Sequence, residues 1–251
     1  MIYVTGDCHS EFKRFNNTNF TQQNELSHDD YVIVCGDFGG IWDASKQEEW
    51  WLNWFSKKPF TLLFIDGNHE NFDLLNNYET VSFKGGKAHK IRDNIYHLIR
   101  GYVFEIDGSS FFAFGGARSH DIKDGVLDEE EFSSHKKFLH TKKQWSKKGK
   151  EFRINHISWW KEEEPSIEEM ERGIQNLKEH GNKVDYILTH ACPKSIAELL
   201  GVSNPNEITL EYLERISEQV EFSHWFFGHY HDEKRMKNYT LLYKSIEVLK
   251  K

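Results

Sequence analysis

The sequence predicts an α/β fold of two packed β-sheets with helices on the outside, and three observations lead there. Short apolar runs rich in Val, Ile, Phe and Tyr recur along the chain at lengths that suit buried strands. Helical patterns alternate with them in the first and last thirds. Hydrophobic residues make up 38% and aromatic residues 15% of the 251 residues, enough for a sizeable, aromatic-rich core and too much for a disordered chain.

Strands are expected at 2–4, 31–35, 60–65, 95–98, 102–106, 111–114, 186–188, 225–227 and 239–243. Asp107-Gly108 sits between two of these runs and signals a hairpin. Helices are expected at 45–57, with Trp50, Trp51, Trp54 and Phe55 on one side, and, as a short helix, at 71–77. A third spans 166–180, where Pro165 and an acidic first turn mark a start. Two more follow at 195–200 and 210–220. The first third is βαβ-like, the middle rich in hairpins, and the last third returns to β and α, so two layers of sheet need helical cover.

Residues 119–164 interrupt this order. The stretch is polar and carries Lys136, Lys137, Lys142, Lys143, Lys147, Lys148 and Lys150. It reads as an excursion within a single domain over 1–251, mobile in part. Its lysines are expected to form a solvated face rather than a nucleic-acid contact. Asn155-His156-Ile157-Ser158-Trp159-Trp160 is expected to anchor the excursion to the core, more than to stack a base.

The formal net charge is −8, whereas nucleic-acid binders usually show a basic excess. Nucleic acid is therefore not the favoured partner. Cys8, Cys35 and Cys192 lie at no paired spacing and read as reduced structural thiols. No basic leader precedes the first strand and no apolar run approaches a membrane span, so a cytoplasmic protein without a membrane partner is expected.

Five segments share one form, an apolar run that stops at metal-ligand residue types. They are Val4-Thr5-Gly6-Asp7-Cys8-His9, Val34-Cys35-Gly36-Asp37 and Ile65-Asp66-Gly67-Asn68-His69-Glu70, then Leu188-Thr189-His190 and Phe227-Gly228-His229-Tyr230-His231. In α/β sheets the loops after the strands face a ligand crevice. Asp7 and His9 are two apart, as are His229 and His231, and in extended chain such pairs point the same way. Glycine before the polar residues lets backbone approach closely. Imidazole, carboxylate and amide oxygen together suit Mn²⁺, Fe or Zn²⁺ better than Ca²⁺ or Mg²⁺.

These blocks resemble the calcineurin-like metallophosphoesterase superfamily, whose pattern runs D-x-H, G-D, G-N-H-[DE], H and G-H-x-H. The resemblance spans Asp7 to His231. It implies two mixed β-sheets packed as a sandwich and flanked by helices in four layers. It implies two divalent transition ions, Mn²⁺ foremost. Asp7, His9 and His231 would hold the first ion, Asn68, His190 and His229 the second, and Asp37 would bridge both. Ions about 3.5–4 Å apart can share a hydroxide that attacks a phosphomonoester or phosphodiester. His69 would be the non-ligand histidine near the leaving-group oxygen, a general acid or charge stabiliser. Its place after a ligand and before a helix also turns it to the cavity. Glu70 is expected to favour the first helical turn rather than to catalyse.

The protein Ser/Thr phosphatase branch reads G-D-x-x-D-R-G in the second block, where this chain has Gly36-Asp37-Phe38-Gly39-Gly40-Ile41-Trp42. Gly40 replaces the carboxylate that would pair with His69, and Ile41 replaces a phosphate-gripping Arg, which speaks against that branch. Phe114-Gly115-Gly116-Ala117-Arg118-Ser119-His120 closes a hairpin strand and offers Arg118 and His120, with Asn68, as substrate contacts. The expected function is hydrolysis of a phosphate ester. The alternatives are a nuclease of the same superfamily acting on short or single-stranded nucleic acid, and an inactive binding scaffold. All ligand positions and His69 are intact, which weighs against the scaffold.

Overall fold

The computed structural model describes residues 1–202 and 207–250. In chain order it begins with β1 (Ile2–Thr5), β2 (Tyr31–Cys35), α1 (Lys46–Ser56), β3 (Thr61–Ile65) and α2 (Phe72–Leu75). A hairpin-rich middle follows with β4 (Thr80–Phe83), β5 (Gly86–Arg92), β6 (Ile95–Leu98), β7 (Tyr102–Ile106) and β8 (Ser109–Phe114). The excursion holds β9 (Val126–Leu127), α3 (His135–Lys147) and β10 (Arg153–Ile154). The last third has α4 (Ile167–Glu179), β11 (Lys183–Thr189), α5 (Lys194–Leu200), α6 (Ile208–Gln219), β12 (Glu221–Phe227), β13 (Lys234–Met236), β14 (Tyr239–Leu241) and β15 (Ile246–Lys250).

Two mixed sheets form, with strand orders β15-β1-β2-β3-β6-β5-β4 and β13-β14-β12-β11-β8-β7. Each has a parallel centre, β1-β2-β3-β6 in one and β14-β12-β11-β8 in the other. Antiparallel strands close the edges. Alternation along each strand sorts its side chains between two cores. Ile2, Val4, Ile33 and Leu63 of one sheet meet Phe104, Phe111, Ala113 and Leu188 of the other in a buried layer between the sheets. Tyr3, Val32, Val34 and Phe64 face outward to Leu52 and Phe55 of α1. Phe112, Ile187, Trp225 and Phe227 face outward to Leu177 of α4 and Leu213 and Ile216 of α6. The expected four layers are therefore present.

The differences have physical reasons. On α1, Leu52 and Phe55 are buried, Trp51 and Trp54 are half-buried, and Trp50 is 57% exposed, so the apolar side is narrower than the tryptophans suggest. Strands β4, β5, β13 and β15 were not expected. All four lie at or next to sheet edges, where solvent-facing positions interrupt the apolar run. The excursion is more ordered than its composition suggests. Phe138 of α3 packs on Leu127 and Ile154, with Phe132, Trp145 and Phe152 around them. Trp160 is fully buried, edge-on to Trp42 at 5.3 Å, and its Nε1 donates to Asp73 of α2 at 2.6 Å. His156 Nδ1 reaches the same carboxylate at 2.9 Å. The anchoring reading of this segment holds. No helix among the described residues is long and apolar enough to cross a membrane.

Candidate metal centre

The five ligand-type segments lie at the C-terminal ends of adjacent parallel strands. Asp7 and His9 follow β1, Asp37 follows β2, Asn68 and His69 follow β3, His190 follows β11, and His229 and His231 follow β12. The two sheets thus present their loops to one cleft of about 520 Å³, lined by Asp37, Asn68, His69, His120, Asp121, His229 and His231 among others.

Two donor groups converge in it. The first is Asp7, His9 and His231. His231 Nε2 is 3.2 Å and His9 Nε2 3.6 Å from Asp7 Oδ2, and the two Nε2 atoms are 2.8 Å apart. The second is Asp7, Asp37 and His190. His190 Nε2 is 3.4 Å from Asp37 Oδ2 and 3.2 Å from Asn68 Oδ1. Asp37 Oδ2 is also 3.5 Å from His9 Nε2, so this carboxylate stands between the groups. His229 stands beside His190 with ring centroids 5.0 Å apart, and its Nε2 is 2.8 Å from His120 Nε2.

The chain reaches this arrangement through strained backbone. His9, Asp37, His229 and His231 all have positive φ, between 46° and 71°. Such conformations cost non-glycine residues on the order of 1–3 kcal/mol each and collect at functional sites. The extended-chain argument for the i, i+2 pairs therefore fails. Asp7 and His9 do meet, but through a left-handed turn, while His231 turns to Asp7 and His9 and His229 to His190 and His120.

Both carboxylates are set the same way. Asp37 Oδ1 accepts from the His69 backbone N–H at 2.7 Å, and Asp7 Oδ1 from the His229 backbone N–H at 2.9 Å. Each sits over a glycine. A Cβ on Gly67 would stand 2.0 Å from Asp37 Oδ1, and one on Gly228 2.1 Å from Asp7 Oδ1. The close approach that glycine permits is thus used directly against the ligands.

The electrostatics call for a cation. Asp7 is fully buried, and its Oδ2 has no hydrogen-bond partner. His231 Nε2, 3.2 Å away, is the nearest imidazole nitrogen to that oxygen, and the Asp7 carboxylate raises its pKa. Burial opposes a charge on His190, yet the Asp37 and Asp7 carboxylates outweigh it and push the imidazole up to about 10. Burial likewise opposes the Asp37 charge, and His190 holds that carboxyl at about 2. The metal-free chain therefore keeps a proton where a cation would balance two carboxylates. His190 Nδ1 lies 2.8 Å from the Cys35 carbonyl, which leaves Nε2 as the ligand nitrogen. The donor set fits divalent transition ions. The three cysteines are buried and free, with Cys8 and Cys192 pushed up to about 12 by burial, so they offer no thiolate.

His69 and His120 line the cleft as expected. Burial lowers the His69 pKa, which Asp37 partly offsets. Arg118 is not among the lining residues. Its Nη1 is 3.9 Å from Glu164, and its backbone N–H reaches Glu207 at 3.4 Å. Glu70 does not open a helical turn, because Asn71 caps α2. It is buried, and its Oε1 accepts from the Phe38 N–H at 2.9 Å, which braces the loop that carries Asp37. Ile41 is core, consistent with the absence of a phosphate grip there. The sequence reading also missed Asp66, Arg100, Ser119 and Glu163, buried groups behind the ligands.

A family model described as calcineurin-like phosphoesterase matches residues 1–233, a span that holds all seven ligand-type residues. Comparison with curated proteins gives no match. The chain belongs to the calcineurin-like phosphoesterase family, which makes it a hydrolase of the phosphoester type and implies divalent metal ions.

Proposed function

We propose that this calcineurin-like phosphoesterase hydrolyses phosphomonoesters or phosphodiesters with two divalent transition ions, Mn²⁺ foremost. Asp7, His9 and His231 would hold one ion, Asn68, His190 and His229 the other, and Asp37 both. The observation that carries this is the fully buried Asp7 carboxylate, whose Oδ2 lies 3.2 Å from His231 Nε2 and 3.6 Å from His9 Nε2 at the mouth of the cleft. When bound, a pair of ions supplies Lewis acidity, acidifies water and clamps an in-line phosphoryl displacement.

The protein's own groups do the rest. The His69 main chain is pinned to Asp37, which places its ring in the cleft without using it as a ligand. It would give a proton to the departing oxygen. His120 faces the same space and would contact the phosphoryl oxygens. Arg118, turned to Glu164, is the weaker candidate for that contact.

A nucleic-acid substrate is the second reading, and α3 is what favours it. Lys136, Lys137, Lys143 and Lys147 are exposed on this helix and form no ion pair among the described residues, in a chain of net charge −8.

The test is elemental analysis after Mn²⁺ loading, followed by assay on p-nitrophenyl phosphate, bis-p-nitrophenyl phosphate, cyclic nucleotides and short oligonucleotides. Two ions with turnover of at least one substrate is the expected result. One ion or fewer refutes the dinuclear centre. Two ions without turnover of any ester favours a binding scaffold.

A further inference from the structure

The two ends of the excursion meet behind a metal-ligand residue. Ser119 leaves the end of β8, and Glu163 returns to it; both are buried. The Ser119 backbone N–H donates to Glu163 Oε1 at 2.9 Å, and its hydroxyl to Oε2 at 2.6 Å. The Asn68 Nδ2 amide donates to Ser119 Oγ at 3.2 Å, and Asn68 Oδ1 points to the cradle, 3.2 Å from His190 Nε2.

The direction of this chain of bonds is set by Glu163. At pH 8, above the value of about 7 to which burial raises it, the Glu163 carboxyl is ionised and only accepts, so it takes the hydroxyl proton of Ser119 and leaves a lone pair for the Asn68 amide. A carboxamide turned by 180° would set its oxygen against that lone pair and aim N–H groups at the cation site. Only one orientation satisfies both ends, and it is the one that presents oxygen to an ion. Arg100, itself buried, ties the pieces together. It donates from Nη2 to the Glu162 carbonyl and from Nε to Asp66 Oδ2, each at 2.7 Å. Asp66 lies two residues before Asn68 on the same loop.

We propose that Ser119 and Glu163 are positioning residues that aim the Asn68 carboxamide oxygen at the second ion, so that the contact between the two ends of the 119–164 excursion sets that ion's affinity. This rests on the dinuclear reading above. Groups that orient a ligand from behind typically contribute about 10–100-fold in metal affinity.

The experiment is a calorimetric Mn²⁺ titration of the full chain at pH 8, with electron paramagnetic resonance to detect a coupled Mn²⁺ pair and thermal unfolding in parallel. Ser119→Ala and Glu163→Gln should keep the first ion and bind the second about 10–100-fold more weakly, with loss of the coupled signal. Ser119→Thr, which keeps the hydroxyl, should restore both. Unchanged affinity for the second ion in Ser119→Ala overturns the proposal. So does equal weakening of both ions in step with a fall in Tm, which would mark a merely structural role. Fewer than two ions in the unsubstituted protein would refute the dinuclear reading itself, and that is seen before any variant is compared.

Discussion

Gly67→Ala should damage the centre through one methyl group. Gly67 is not in the left-handed region, so alanine meets no backbone objection. Its Cβ, however, would stand 2.0 Å from Asp37 Oδ1 and 2.5 Å from the Asp37 nitrogen. Ordinary contact begins at 3.4 Å, so the carboxylate must retreat by about 1.4 Å. It has nowhere to go. Asp37 is buried, Oδ1 is held by the His69 N–H, and its carbonyl accepts from Cys8 at 3.0 Å and His9 at 2.8 Å. The loops after β1, β2 and β3 must part, or the carboxylate must turn out of the cradle. Overpacking of this kind costs about 1–3 kcal/mol of stability. A misplacement near 1 Å costs on the order of 10²-fold in rate. The assay is kcat/KM on bis-p-nitrophenyl phosphate with Mn²⁺ stoichiometry and circular dichroism. A folded variant with about 100-fold lower kcat/KM and fewer than two ions is expected. A folded variant with wild-type kcat/KM and two ions would refute the claim that Asp37 must stay where the structure puts it.

Asp37→Asn should cost more activity and metal than His231→Ala, because Asp37 lies against both donor groups and His231 against one; elemental analysis with and without excess Mn²⁺ checks this. His69→Ala should keep both ions and lose about 10²–10⁴-fold on alkyl or ribosyl esters but far less on nitrophenyl esters, whose leaving group needs no proton; equal losses would point to charge stabilisation instead. His120→Ala should raise KM for phosphate esters more than Arg118→Ala does, since only His120 lines the cleft; steady-state kinetics of the two variants decides. Burial pushes the Glu163 carboxyl up to about 7, against hydrogen bonds from Ser119. The folded chain therefore keeps a proton that the unfolded chain releases above about 4.5, so this stabilisation, on the order of 3 kcal/mol, is full below about 4.5 and lost as pH rises to about 7. Glu163→Gln should flatten that slope in urea unfolding of the metal-free chain at pH 4.5 and pH 8.

The centre was legible because its residues are concentrated at strand ends. An apolar run such as 31–35 marks a buried strand, and five such runs that each end in ligand-type residues place those residues on the loops that face the crevice. Edge strands such as β4 escaped because they bury one face weakly and alternate exposed with half-buried positions. Helix α3 escaped because a single residue, Phe138, is buried in it. Glu163 escaped for a different reason. It sits within Glu162-Glu163-Glu164, a run that reads as solvated, and nothing local tells the middle carboxylate from its neighbours.

The sequence by itself determined the central sheet-forming runs, the family and the ligand-type residues, because local pattern carries hydrophobic period and residue chemistry. Tertiary structure decided the rest. It set Arg118 within 3.9 Å of Glu164, brought Glu70 back to the Asp37 loop, and split His229 from His231 through left-handed backbone. It also joined Ser119 to Glu163 across the excursion and set both behind Asn68. Such contacts join residues far apart in the chain, and their direction depends on how two sheets meet, which no short window of sequence records.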